Sequence, residues 1–121
     1  MRDRRRDGRQ KGRSSLTKDF RETIAARIAR SATFRRELLQ RAMTCLLVDD
    51  DLDTGKALLR DYINGTIGFE ALARRMGTPS KSLMRMLGPT GNPQARNLLS
   101  LLAHLQREEG IVFRVSVAGG R

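Results

Sequence analysis

Ser80, Lys81, Met84 and Arg85 fall within six consecutive positions and hold the side-chain types that read the edge of a nucleic-acid duplex. An ammonium and a guanidinium donate to guanine edges or phosphates, a serine hydroxyl bonds to either, and a methionine packs on a thymine methyl. Their spacing places all four on one side of a short helix. Arg74, Arg75, Arg96 and Asn97 flank the cluster with donors suited to phosphate oxygens, Arg96 and Asn97 falling in the opening turns of a following helix.

Other chemistries find less support. The run Asp49-Asp50-Asp51-Leu52-Asp53-Thr54-Gly55 starts like a calcium loop, but its glycine comes one place late, and Arg60 stands where a bidentate glutamate is required. An acid-rich helix start explains it better. Gly88-Pro89-Thr90-Gly91 lacks the Gly-Lys-Ser/Thr of a phosphate-cradling loop. One histidine, His104, and one cysteine, Cys45, do not make a catalytic triad or a zinc site, so His104 reads as a satisfied helix residue and Cys45 as a small core residue. The expectation is a non-enzyme with no catalytic residue, metal or cofactor.

Charge points the same way as the cluster. The 121 residues carry 24 Lys+Arg against 13 Asp+Glu, a net +11, which favours a polyanionic partner. Seven basic and two acidic residues within 1–13 supply +5 of this with no apolar residue after Met1, so a disordered basic arm is expected there. Aromatic residues are only 4%, which leaves few stacking platforms for single strands and favours duplex. No apolar run spans a membrane, no signal peptide is visible, and no helix pairs a lysine-rich face with a large aromatic one. The expected location is the cytoplasm, with no membrane partner.

The elements that must position the cluster follow from periodicity. Leu16, Phe20, Ile24 and Ile28 form a helical stripe capped by Ser15, and Phe34 through Leu46 give a broad second apolar face. A third helix starts at an Asp51 or Asp53 cap and ends at Asn64-Gly65, with Gly65 as a left-handed C-cap. A first short helix covers about 67–76, Gly77-Thr78-Pro79 breaks it, and a second covers about 79–87 with Thr78 as cap. Asn92 then caps a longer helix opened by Pro93 and running to about Glu109. Ile111, Phe113, Val115 and Val117 alternate with Val112, Arg114 and Ser116, the pattern of a strand that needs a partner.

Two short helices around a glycine turn in a basic helical domain are the layout of a helix-turn-helix. Counted from Phe69, small Ala73 is fifth, where the helices cross closely, and Gly77 is ninth, where the turn needs a positive φ. Leu72, Met76, Leu83 and Met86 face the bundle. Gly77-Thr78-Pro79-Ser80-Lys81-Ser82-Leu83 and Gly91-Asn92-Pro93 resemble the turn, recognition helix and following loop of lambda-repressor-like helix-turn-helix proteins, particularly the addiction-module antidote (antitoxin) branch. The resemblance runs from about Phe34 to Val115. It implies a DNA-binding transcriptional regulator, commonly a homodimer on an inverted repeat and sometimes partnered by a toxin.

The expected fold is all-α: a five-helix lambda-repressor-like helix-turn-helix domain with a short C-terminal β-strand and a disordered basic N-terminal arm. The expected division is an arm over 1–13, a helical region over 14–50, the helix-turn-helix domain over 51–110 and a strand and tail over 111–121. The expected function is sequence-specific duplex DNA binding. Its rivals are an antitoxin whose main task is holding a toxin, and a nucleoid-type protein that binds without sequence choice.

Overall fold

The computed structural model describes residues 19–120, so the expected basic arm and the Ser15 cap lie outside the described residues. Among the described residues six helices follow one another: α1 over 19–30, α2 Ala32–Leu47, α3 Leu52–Gly65, α4 Phe69–Met76, α5 Ser80–Met86 and α6 Ala95–Glu109. The fold is all-helical.

Local chemistry sets most of the boundaries. The Ser31 hydroxyl accepts from the Phe34 amide at 3.0 Å and starts α2, and the Asp51 carboxylate accepts from the Thr54 amide at 3.1 Å and starts α3. Gly68 holds φ +83°, a conformation that blocks any helix from running through it, so α4 starts at Phe69 rather than about 67. Leu39, Ala42, Leu59, Tyr62 and Ile63 from α2 and α3 meet Leu72, Leu83, Leu101 and Leu105 from the later helices in one continuous core. Each fully buried leucine there contributes about 1.5–3 kcal/mol.

A polar hub ties the ends of four helices together. Glu109, the last residue of α6, accepts from the Arg35 Nε at 2.9 Å and from the Tyr62 hydroxyl. Nη1 of Arg35 donates to the carbonyls of Ile28 and Ala29 at 2.8 and 3.1 Å, at the C-terminal turn of α1, where a cation offsets the helix dipole. Burial, reinforced by the hydrogen bond to Glu109, pushes the Tyr62 phenol above the ordinary tyrosine range.

Several expectations are corrected. No strand exists among the described residues; 111–120 runs without helix, turn or ladder, because a strand within one chain has nothing here to pair with. Gly65 is not a left-handed cap but the last residue of α3, and a side chain there would strike Ile28, whose Cβ lies 2.8 Å from the added carbon. Thr78 does not cap α5; Pro79 occupies that position without a side-chain bond. The last helix starts at Ala95, not at Asn92-Pro93, since Gln94 holds an extended backbone, with ψ 146°, and serves as its N-cap. Phe20, expected on the apolar stripe of the first helix, is exposed. Cys45 is free and buried, as expected of a small core residue.

Candidate nucleic-acid interface

α4 and α5 meet at Gly77, whose φ of +66° is the left-handed conformation the turn requires. The Gly77 amide donates to the Arg74 carbonyl at 3.3 Å and the Thr78 amide to the Ala73 carbonyl at 3.0 Å, closing α4. Ala73 is buried beneath the crossing. The chain then extends through Pro79, whose carbonyl accepts from the Ser82 and Leu83 amides and begins α5.

α5 divides cleanly by side. Leu83 and the adjoining Leu87 are buried in the core, with Met86 half-buried beside them, whereas Lys81, Ser82, Met84 and Arg85 are exposed. Of the four residues expected to read bases, Lys81, Met84 and Arg85 are therefore on the open face. Ser80 is half-buried and lines a shallow recess of about 510 Å³ with Glu70 and Arg74.

The four phosphate candidates sit in four environments. Arg74 is exposed at the mouth of that recess. Arg75 is exposed but engaged: its Nη1 donates to Glu108 on α6 at 2.6 Å, so its charge is already partnered. Asn97 lines a groove of about 490 Å³ with Arg85, Ser82 and Gln94, which brings a base-reading and a phosphate candidate to one place. Arg96 is exposed outside that groove's lining. No side chain caps the N-terminus of α6, so its first amides remain open beside Asn97.

Two cations that the cluster did not reveal fix the far end of α5. The Lys56 ammonium, only 1% exposed, donates to the carbonyls of Gly88 at 2.9 Å and Gly91 at 2.6 Å. The Arg60 Nη1 donates to the Leu87 carbonyl. Both come from α3 and satisfy carbonyls that a helix end leaves open. Gly91 packs so tightly here that a Cβ would collide with the carbonyls of Arg85 and Met86. Lys56 was legible as a charge in line with the apolar stripe, three positions before Leu59 and seven before Ile63.

The His104 Nδ1 is 2.9 Å from the Ser100 carbonyl, a local helix bond. Among the described residues no group of three or more His, Cys, Asp or Glu side chains could hold a metal ion, and no helix is long and apolar enough to cross a membrane. Compared with protein-family models, curated proteins and solved structures, the chain matches none.

Proposed function

We propose that this chain is a sequence-specific duplex-DNA-binding transcriptional regulator, a helix-turn-helix protein of the lambda-repressor-like kind that acts as a homodimer. The observation that supports it most is the sidedness of α5: Leu83 and Leu87 are buried, whereas Lys81, Met84 and Arg85 stand exposed on a helix anchored at both ends. A reading helix must be rigid and must present donors, and α5 meets both conditions.

In this reading α5 enters the major groove. Lys81 and Arg85 donate to guanine edges, Met84 packs on a thymine methyl, and Ser80 and the exposed Ser82 bond to the adjoining backbone or base. Arg74, Asn97, Arg96 and the open amides of α6 position the protein on phosphates without reading sequence. The groove shared by Arg85 and Asn97 joins the two kinds of contact. Four cations against one anion from Phe69 to Leu87 give this unit the sign a duplex attracts.

Selection of bound sequences from a random duplex pool, at near-physiological salt to suppress nonspecific attraction, tests the reading. The expected result is an inverted repeat with half-sites about 10 base pairs apart or a multiple of that. A folded protein that enriches no sequence overturns it and turns attention to toxin holding or nonspecific coating of DNA.

A further inference from the structure

We infer that residues 112–118 form an intermolecular antiparallel β-ribbon with the same segment of a second copy of this chain, with Val115 facing Val115 across the two-fold axis. The inference deepens the dimeric part of the reading above and rests on it, but it does not depend on duplex binding.

Two observations leave the tail open to pairing as a strand. Exposure alternates at its start, with Ile111 and Phe113 packed on the core while Val112 is 84% exposed. From Ile111 to Gly120 the chain also runs without helix, turn or bend. Beyond Phe113 the apolar stripe continues with no cover: Val115 is 75% and Val117 98% exposed. Leu47 and Val48 at the end of α2 are exposed too, and a hollow of about 830 Å³ separates that end of α2 from the tail. β-branched residues in this state are what an unpaired strand presents to a partner strand.

The backbone identifies which edge is open. The Ile111 amide donates to the Gln106 carbonyl at 3.0 Å and the Phe113 amide to the Gln106 Oε1 at 2.7 Å, so these two odd-numbered residues direct their amides toward α6 and an extended continuation keeps that edge. Successive residues of a strand alternate edges, which leaves Val112, Arg114 and Ser116 facing outward. Among the described residues these three have no backbone partner.

Register follows from charge and parity, and it selects a second copy as the occupant. A register pairing odd residues with even ones would mix the apolar and polar faces. Pairing Arg114 with Arg114 would set like charges directly opposite. Centring on Phe113 would draw in Gly110, which is the left-handed cap of α6 and cannot extend the ladder. Centring on Val115 avoids all three and, unlike a centre further along, sets none of 112–118 opposite Gly119 or Gly120: Arg114 exchanges hydrogen bonds with Ser116, Val112 with Ala118, and Phe113 stacks beside Val117. The segment is thus complementary to itself through a single two-fold, which closes at two copies.

Sedimentation equilibrium of the full chain, alongside oxidation of Val115→Cys and Val117→Cys, tests this. Val115 would be in a close, non-hydrogen-bonded pair with Cα atoms about 4.5 Å apart, within disulfide reach. The expected result is a dimer in which Val115→Cys cross-links, whereas Val117→Cys and the parent chain, whose one thiol is buried Cys45, do not. Ser116→Pro should raise the dimer dissociation constant about tenfold or more with helix content unchanged, because symmetry removes two hydrogen bonds at once. A chain monomeric at all concentrations overturns both the dimer and the ribbon. A dimer in which Val115→Cys stays reduced, or cross-links no better than Val117→Cys, overturns the ribbon alone.

Discussion

The Lys56 ammonium on α3 is 2.6 Å from the carbonyl oxygen of Gly91, on the loop after α5, and almost entirely enclosed. Asp53 approaches the same nitrogen at 3.7 Å, but its carboxylate is open to solvent and adds little. The two carbonyls, of Gly88 and Gly91, are therefore the main partners of this buried charge. Lys56→Met retains most of the stem and removes both bonds, and the expected loss is about 1.5–3 kcal/mol. Urea unfolding measures it, and an unchanged midpoint would contradict the assignment.

Two glycines near α5 respond differently to alanine. At Gly77 an added carbon meets no atom within 4 Å, so Gly77→Ala bears only the backbone penalty of the left-handed region, about 1–2 kcal/mol. At Gly91 the added carbon meets the Met86 carbonyl oxygen at 2.5 Å, and main chain cannot swing aside as a side chain does. Gly91→Ala should displace the loop, cost about 3 kcal/mol and weaken the Lys56 contacts. Equal thermal shifts for the two variants would argue against this close packing.

The helix order and the turn at Gly77 were legible because each rests on short-range chemistry. The Asp51 cap, the glycine turn and the apolar periodicity all act within a few residues, as does the Ser31 cap, which the sequence expectations leave out. What the sequence hid depends on partners far along the chain. Arg75 looked free until α6 supplied Glu108, and the charge of Lys56 in line with the apolar stripe gave no sign of the Gly88 and Gly91 carbonyls that hold it. The alternation from Ile111 to Val117 is equally visible in the sequence, but the single chain offers no strand to pair with it. Within the expected reading face Ser80 is half-buried and Ser82 exposed, since helix phase decides which serine turns inward.

Tyr62 makes the stability depend on alkaline pH. Its phenol stays neutral to higher pH in the folded chain than in the unfolded one, because it is buried and hydrogen-bonded to Glu109. Its contribution is complete below about pH 10, the ordinary tyrosine value, and is lost as pH rises from there through the raised folded value. Tyr62→Phe should cost about 1 kcal/mol at neutral pH. It should also remove up to about 1.4 kcal/mol per pH unit from the alkaline decline. Parallel stability curves for both proteins above pH 10 would show that the phenol does not titrate differently on folding.

Adjacent arginines on α4 should make unequal contributions to DNA affinity. Arg74 is exposed with no salt-bridge partner among the described residues, whereas Arg75 is bonded to Glu108 at 2.6 Å and must give up that pair before it can neutralise a phosphate. Each phosphate contact contributes about 0.9 to the slope of log affinity against log salt. Arg74→Ala should lower the slope by about that amount and weaken binding evenly across sequences, and Arg75→Ala should change it much less. Glu108→Gln, which removes the competing charge, should restore to Arg75 part of the contribution it lacks. Arg85→Ala belongs to a different class: if Arg85 reads a guanine it costs roughly 1–3 kcal/mol on the preferred site and relaxes choice at one base pair. Salt titrations of these variants on the selected operator and a scrambled duplex separate the two classes. Equal slope losses for Arg74→Ala and Arg75→Ala would mean that the Glu108 pair opens freely, and an Arg85→Ala loss equal on both duplexes would reassign Arg85 to phosphate.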